Sequence, residues 1–543
     1  MTDLAKQIIA EQSRLASERA NYDTRWQQIA ERCCPDLAVF NTVLTPGAAR
    51  TDKQFDSTAA LASTSFAAAI MDMITPREKK WHNLRSGIPE LDESPRVKLY
   101  FEQVRDILFY HRYSPRANFA NQFYNGLLSM GLFGPAAMWV DEIVGGGLVY
   151  RNVHVSEICI EEDEHGRVNT VYRRARLAAR KWGERWGKTA LPRQVRDAIS
   201  SNQSHREFEF IHCIRPRANV DPSRMDARGM RYESIVVSVS DSEIVRRGGF
   251  HSMPLLVSRF TALSNAKYGR SPAMQVLPDI KMANEMQKTL LRAAHRATSP
   301  PLLVHDDGVL TKVSLKPDAI NIGGLDHQGR QMVQPLHTGG SINVGMEMVQ
   351  AAREVVERAF LVPLFSILTD TPDRMTATEV LERAREKGAL LSPAAGMIEG
   401  ETLGPMIERE IDLLARAGRL PPMPPELVEA EGEYRIGYEN PLQRAARSER
   451  SIGFLRTVEA VAPIAAAKPE VWDEFDLPAA VRGLAEDSGV PQLWMKDPAQ
   501  REAERAAQAE QQQAMQMLEG ASIAGDAAAK FAQLQEMSGA AGV

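Results

Sequence analysis

Two long helical stretches bracket a short run of strand and turn residues, and that bracket limits the fold more than any other feature of the chain. The first stretch, "PDIKMANEMQKTLLRAAHRATSPP", fills residues 278 to 301. It opens on Pro278 and Asp279 and closes on Ser299-Pro300-Pro301; proline suits a first helical turn and stops a helix that runs into it. The second, "NVGMEMVQAAREVVERAFLVPLFSIL", fills residues 343 to 368. Between them "LLVHDDGVL", "VSLKPDAINIGG" and "QMVQPLHTGG" read as short strands divided by turn residues. Helices joined by so small a module lie antiparallel, with the module at their far end. At roughly 20 residues each they are about 30 Å long. The pair therefore predicts a stalk that lifts a small β module away from the main body.

The first stalk helix has little to bury. Ile280, Ala283, Met286, Leu290, Ala293 and Ala297 form a narrow and mostly small stripe, whereas Lys281, Lys288, Arg292 and Arg296 recur on the opposite side. After the second stalk helix, Thr376 and Glu379 have the spacing of a capping box, which starts a new helix at Ala377. The loop before it is short and polar, with Asp370, Thr371, Pro372, Asp373 and Arg374. The helix that follows is long, with breaks expected near Ser392-Pro393 and Gly404-Pro405.

The rest of the chain predicts an α+β fold, helices first and sheet second. Residues 3 to 33 read as a helix with Ile8, Leu15, Tyr22, Trp26 and Ile29 on its apolar side. "TAALASTSFAAAIMDMI", capped by Asp56 or Ser57, "RVKLYFEQVRDILFYHRY" and "NFANQFYNGLLSMGLFG" give three more helices. From about 136 to 260 the pattern alternates with period two, with turns at Gly145-Gly146-Gly147 and His165-Gly166, so it reads as antiparallel β interrupted by a helix around Ala178 to Gly187. A proline-rich stretch from Arg419 leads to a further strand, and residues 448 to 490 read as short helices. The Ala/Gln-rich end is either a helix that needs neighbours or a disordered tail.

Function classes narrow quickly. The sequence has no GxxxxGK[ST], so it predicts no P-loop ATPase. Cys33, Cys34, Cys159 and Cys213 make no CxxC pair or zinc spacing and read as reduced thiols. "EEDEH", Glu161 to His165, reads as a solvated hairpin turn rather than a metal site, and His154, His205 and His212 as ordinary surface or packed histidines. Trp26, Trp81, Trp139, Trp182 and Trp186 read as core or interface anchors. No apolar run is long enough to span a membrane, and the amphipathic start, "MTDLAKQIIAEQSRLASERANYD", is not a signal peptide. With 65 basic against 70 acidic residues the formal net charge is −5, so a DNA partner would be handled loosely rather than wrapped.

The order helix, small β module, helix, polar loop, long kinked helix resembles the portal, or head-to-tail connector, proteins of short-tailed double-stranded DNA phages. Local stretches carry the same resemblance: "RANYDTRWQQIAERCCPD", "FDSTAALASTSFAAAIMDMITPREKKWHNL", "KYGRSPAMQVLPDIKMANEMQK" and "RMTATEVLERAREK", over roughly residues 10 to 420. The resemblance implies a wing at 1–270, a stem helix at 271–300, a clip at 301–342, a second stem helix at 343–368, a channel loop at 369–376, a long kinked wing helix and crown at 377–500, and a C-terminal barrel or disordered tail at 501–543. It also implies a non-enzymatic ring, usually of twelve subunits, around a DNA channel at one capsid vertex of the virion, assembled in the host cytoplasm. Expected partners are further copies of the chain, double-stranded DNA held weakly and without sequence preference, the terminase large subunit, capsid and scaffolding proteins, and a tail adaptor; no membrane and no cofactor are implied. In such a ring the small stripe of the first stem helix packs on neighbours. Lys288, Arg292 and Arg296 then meet Glu347, Glu354 and Glu357 of the same or an adjacent subunit, stay solvated, or touch phosphates. Asp370, Thr371, Asp373 and Arg374 would line the channel's narrowest belt. The second reading is an unrecognised α+β hydrolase or nuclease, and the third a different head-completion ring such as an adaptor.

Overall fold

A computed structural model describes residues 2–42, 47, 51–143, 145, 147–304, 314, 325, 328–335, 342–363, 393–430, 432, 434–438, 441–487, 490, 492–496, 500–511 and 513. The chain divides into two units. One comprises Met1–His82, Arg105–Leu420 and Tyr438–Leu442, and the other Asn83–Val104, Pro421–Gly437 and Gln443–Val543.

The first unit is α+β. Helix α1, Thr2–Cys33, is driven by its apolar spacing: Ala5, Ile8, Leu15, Trp26 and Ile29 are all buried. Its first half lies on a five-stranded antiparallel sheet whose strands run in chain order: β3 (Ile158–Glu162), β4 (Val168–Ala178), β5 (Glu207–Pro216), β6 (Tyr232–Ser238) and β7 (Glu243–Phe250). Period-two alternation gives that sheet two apolar faces. Cys159, Tyr172, Ile211, Cys213, Ile235 and Val237 pack on α1. Ala175, Phe208, Phe210 and Val236 pack on Trp182, Leu191 and Val195, which belong to the stretch carrying helices Ala179–Trp186 and Arg193–Ser200. Sequence reading finds the first of these two helices and misses the second, which is only eight residues long.

A three-stranded sheet places β1 (Pro135–Ile143) between β2 (Gly147–Val153) and β8 (Leu255–Arg259). The expected glycine turn joins β1 to β2; Gly145 and Gly147 have φ of 74° and 93°, which residues with a Cβ rarely adopt. Helix α2, Thr58–Ile74, is capped as expected by Asp56, which accepts from the Thr58 N–H at 2.9 Å. The missing Cβ of Gly131 in the helix Phe119–Phe133 lets Phe66 of α2 lie directly over it, edge-on to Phe360. Trp26 closes the core from the other side, donating from its indole to the Phe133 carbonyl at 2.6 Å.

The stalk helices are Leu277–Thr298, here α3, and Ile342–Ala359, here α4. Leu290 meets Gly345 while Gln287 meets Arg353, so the two run antiparallel as expected. The second is interrupted after Ala359, where Leu361 takes a left-handed φ of 60°; residues 362–363 are helical again, and 364–368 lie outside the described ones. Between the helices, Leu302–Val304 pairs with Val333–Pro335 as two antiparallel strands. The middle strand expected there, the loop at 369–376 and the capping box at Thr376 also lie outside the described residues.

The break expected at Gly404-Pro405 is not one. The helix widens into a π-turn at Glu399–Leu403, with the Gly404 N–H bonding the Glu399 carbonyl, and continues as Gly404–Arg416. Pro405 has no N–H to give the regular ladder, and the wide turn absorbs that loss.

Pro441–Ala467, all but its first two residues in the second unit, forms one long helix with Pro463 inside it, where sequence reading expects short pieces from 448. Leu477–Asp487 forms another helix, and residues 500–511 are helical; the remainder of the tail, beyond 513, lies outside the described residues.

Candidate functional site

The base of the stalk is where α3 and α4 are fixed to the body. Ser271 caps the short helix Pro272–Gln275 before α3, accepting from the Met274 N–H and donating to the Leu132 carbonyl at 2.8 Å. Leu277, Ile280, Ala283 and Asn284 are buried there. The Asn284 side-chain carbonyl accepts from the backbone N–H groups of Phe55 and Asp56 at 2.9 and 3.1 Å. Arg353 of α4 reaches the same segment, its Nε 2.7 Å from Asp56. One buried carboxylate thus caps α2 and docks α4. Burial works to raise the Asp56 pKa, but the bonds from Thr58 and Arg353 outweigh it and hold the carboxyl below its usual range.

Arg353→Ala leaves that carboxylate buried without its cation, and a loss of about 1–3 kcal/mol of stability is expected. The sign with pH follows from the lowered pKa: the pair contributes fully above the unfolded value of about 4 and fades as pH falls through the lower folded value. Urea unfolding of wild type and variant checks this. The gap between them should close below about pH 4, and an unchanged gap in acid would contradict the assignment.

The predicted basic face divides into two. At the base, the Lys281 Nζ donates to the Gln28 side chain at 2.7 Å and the Lys288 ammonium sits 5.0 Å from the centre of the Phe55 ring. Farther out, Arg292 and Arg296 are exposed and pair with no acid among the described residues. The expected intrachain pairing with α4 is absent among those residues: Glu354 instead pairs with Arg358 on its own helix at 3.6 Å. Antiparallel packing turns Leu290 and Gln287 toward α4, not the basic face. Asp370, Thr371, Asp373 and Arg374 lie outside the described residues.

Burial fades along the stalk. Met282, Leu291, Val344, Met346, Met348 and Val355 stand 41–59% exposed, an unusual density of apolar surface on two helices.

The other sequence candidates are placed in the framework. Glu161 pairs with Arg14, Glu162 with Arg259, and Asp163 accepts from the backbone N–H groups of His165 and Arg167, so "EEDEH" is a hairpin turn. His154 and His212 bond Ser156 and Ser234, and burial holds their pKa values down to about 4 and about 3, so both stay neutral. Burial pushes the Cys33 thiol up to about 12, which makes it a packing group. Trp26, Trp81, Trp139 and Trp182 are buried. Among the described residues no helix is long and apolar enough to cross a membrane.

A polar cluster that sequence reading misses lies deeper. Arg112 and Glu410 are both fully buried and joined by two bonds of 3.0 and 2.5 Å. The Tyr150 hydroxyl donates to the same carboxylate at 2.5 Å, and His82 lies 3.0 Å from the guanidinium. Trp81 and Phe109 cover its faces at 4.6 and 4.9 Å. Its chemistry resembles an acid–base site, but both charges have no solvent exposure, which suits a lock and not a reaction centre.

Residues 5–495 match the sequence profile of a family described as bacteriophage head to tail connecting protein. The chain belongs to that family. It is 27% identical over 535 residues to a probable portal protein of Bordetella phage BPP-1, covering 97% of this chain and 95% of the relative. It is 26% identical over 529 residues to the portal protein of Salmonella phage epsilon15, covering 94% and 93%. The portal protein of Escherichia phage T7 is 21% identical over 443 residues, with 77% and 76% covered. The chain is thus a phage head-to-tail connector of portal type, with a structural role.

Proposed function

We propose that copies of this connector close into a ring, of twelve subunits, around a channel that passes double-stranded DNA into the capsid and later out of it. In that reading α3 and α4 are the stem, residues 301–342 the clip, and residues 369–376 the channel loop. The terminase large subunit docks first and a tail adaptor later on the clip, and capsid and scaffolding proteins surround the wing at the portal vertex. The stalk carries this reading. Its base is locked by Asn284, Asp56 and Arg353, while its outer length leaves methionine, leucine and valine in water. A rigid pair of helices with uncovered apolar faces is completed by repeats of itself.

DNA is held weakly in this scheme. Phosphate contacts multiply around a ring, and about six to ten neutralised phosphates already bind strongly. The net charge of −5 and the two acids of the loop, Asp370 and Asp373, keep the channel slippery. Native mass spectrometry and negative-stain microscopy test the ring; a compact monomer or dimer at high concentration would remove it. Replacing Asp370, Asp373 and Arg374 by Ser is expected to leave the ring intact and lower the yield of DNA-filled particles. Filled, infectious particles at wild-type yield would exclude the loop's role in retaining DNA.

A further inference from the structure

Beside the stalk base lies an open pocket of about 270 Å³, lined by Tyr22, Arg25, Leu263, Ala266, Gly269, Arg270 and Met274. Small-molecule pockets span roughly 300–1,000 Å³, so this one suits a side chain or two better than a cofactor. Its walls are mixed. Tyr22, Leu263 and Met274 offer apolar surface, and Leu263 is 48% exposed. Arg25 comes from α1 and Arg270 from the segment just before α3, and neither guanidinium has a carboxylate partner among the described residues. Two cations converging on an apolar-walled hollow call for a carboxylate carried on a small apolar neighbour.

The first turn of α3 supplies that group. Pro278 is exposed, and the half-buried Asp279 carboxylate has no bond among the described residues. Within one chain the two features face apart. Lys281 points toward α1, where it bonds Gln28. Asp279 lies two residues earlier, about 200° round the helix, and so points away from the contact with Gln28 of α1. Arg270 and Met274 of the pocket precede Pro278 and Asp279 by only four to nine residues, so both features belong to the stalk base. A cyclic ring needs that arrangement, because each interface joins one flank of a subunit to the other flank of the next at equal height.

We propose that the Pro278–Asp279 corner of one copy seats in the Tyr22–Arg25–Arg270 pocket of the next. The proline ring covers Tyr22, Leu263 and Met274, and the carboxylate takes the two guanidinium groups. A duplex phosphate would use the arginines but leave the apolar wall bare, which is why a protein corner is favoured. The inference rests on the ring reading.

Charge reversal tests it on the full-length chain. Arg25→Glu with Arg270→Glu, and separately Asp279→Arg, are each expected to raise the concentration needed for ring formation by about tenfold or more. Circular dichroism and thermal melting of these surface variants should match wild type. All three reversals in one chain restore opposite charge at every interface, and assembly is expected to return to within about threefold of wild type. Failure of that rescue overturns the contact, and so does normal assembly of either reversed variant. Arginine variants that assemble normally but lose DNA retention would assign the pocket to phosphate and also overturn it. Should wild type itself form no ring, the ring reading falls and takes this contact with it; a wild-type ring with indifferent variants removes the contact alone. If a reversal perturbs folding, Arg25→Gln with Arg270→Gln and Asp279→Asn give the same comparison, with a weakened ring expected and an unchanged one contradicting the proposal.

Discussion

Glu410→Ala is expected to lower stability by about 3–5 kcal/mol, because it strands a buried guanidinium without its counter-charge. Arg112 and Glu410 are both fully buried, and the indole of Trp81 and the ring of Phe109 exclude water from the guanidinium. Tyr150 also loses its acceptor, and its buried hydroxyl has to find another. A domain has only about 5–15 kcal/mol in hand, so the loss shows as a large fall in urea midpoint. The pair is not stabilising in proportion to that loss. Taking two charges from water costs about as much as their attraction returns, so Arg112→Met with Glu410→Leu should cost far less than the sum of the single changes. A single variant within about 1 kcal/mol of wild type would contradict the lock. Single costs that add fully in the double variant would show that the two groups do not act as a pair.

Local pattern carries much of the fold, and contact across long sequence gaps carries the rest. The register of α1 follows from Ile8, Leu15, Trp26 and Ile29, and the β1–β2 hairpin from its glycines, because each needs only neighbours in sequence. The antiparallel stalk follows from two periodicities and a short connection. Asn284, by contrast, reads as a polar blemish beside a small-residue stripe, and its partners lie 228–229 residues away. Arg112 and Glu410 are 298 residues apart and look like ordinary charges on amphipathic helices. The basic face is visible as spacing, but its division into anchored Lys281 and Lys288, and Arg292 and Arg296 with no acid partner among the described residues, depends on where α1 and Phe55 sit. The helix Pro441–Ala467 escapes full recognition because it lacks a continuous apolar stripe; Ile452, Leu455 and Ile464 are exposed in it.

Arg259→Met is expected to cost a further about 3–5 kcal/mol and to act most strongly on one turn of helix. Gly404-Pro405 reads as a break, since proline cannot continue the ladder. The helix continues because the wide turn at Glu399–Leu403 is held from outside. Arg259, 142 residues away and 2% exposed at its side chain, donates from Nε and a terminal nitrogen to Glu401 at 3.1 and 2.5 Å. The Arg259 backbone N–H adds a third bond to the same carboxylate at 2.8 Å. The other terminal nitrogen meets Glu162 and the Lys267 carbonyl, and the one on Glu401 also reaches the Gly166 carbonyl, so one side chain ties the turn to both sheets. Tyr438 holds the opposite side, donating to the Glu399 carbonyl at 3.1 Å. Methionine keeps most of the arginine's length and removes all of its side-chain bonds, so hydrogen exchange at residues 399–404 should rise more than in α1. Uniform exchange changes, or a cost below about 1 kcal/mol, would mean that the π-turn stands without its clamp. In the ring reading the clamp also has a mechanical role. Residues 369–376 precede that helix in the chain, and the loop proposed there to retain DNA would need a fixed end to push against. Reduced retention of DNA in assembled Arg259→Met particles is the functional outcome that this anchoring requires.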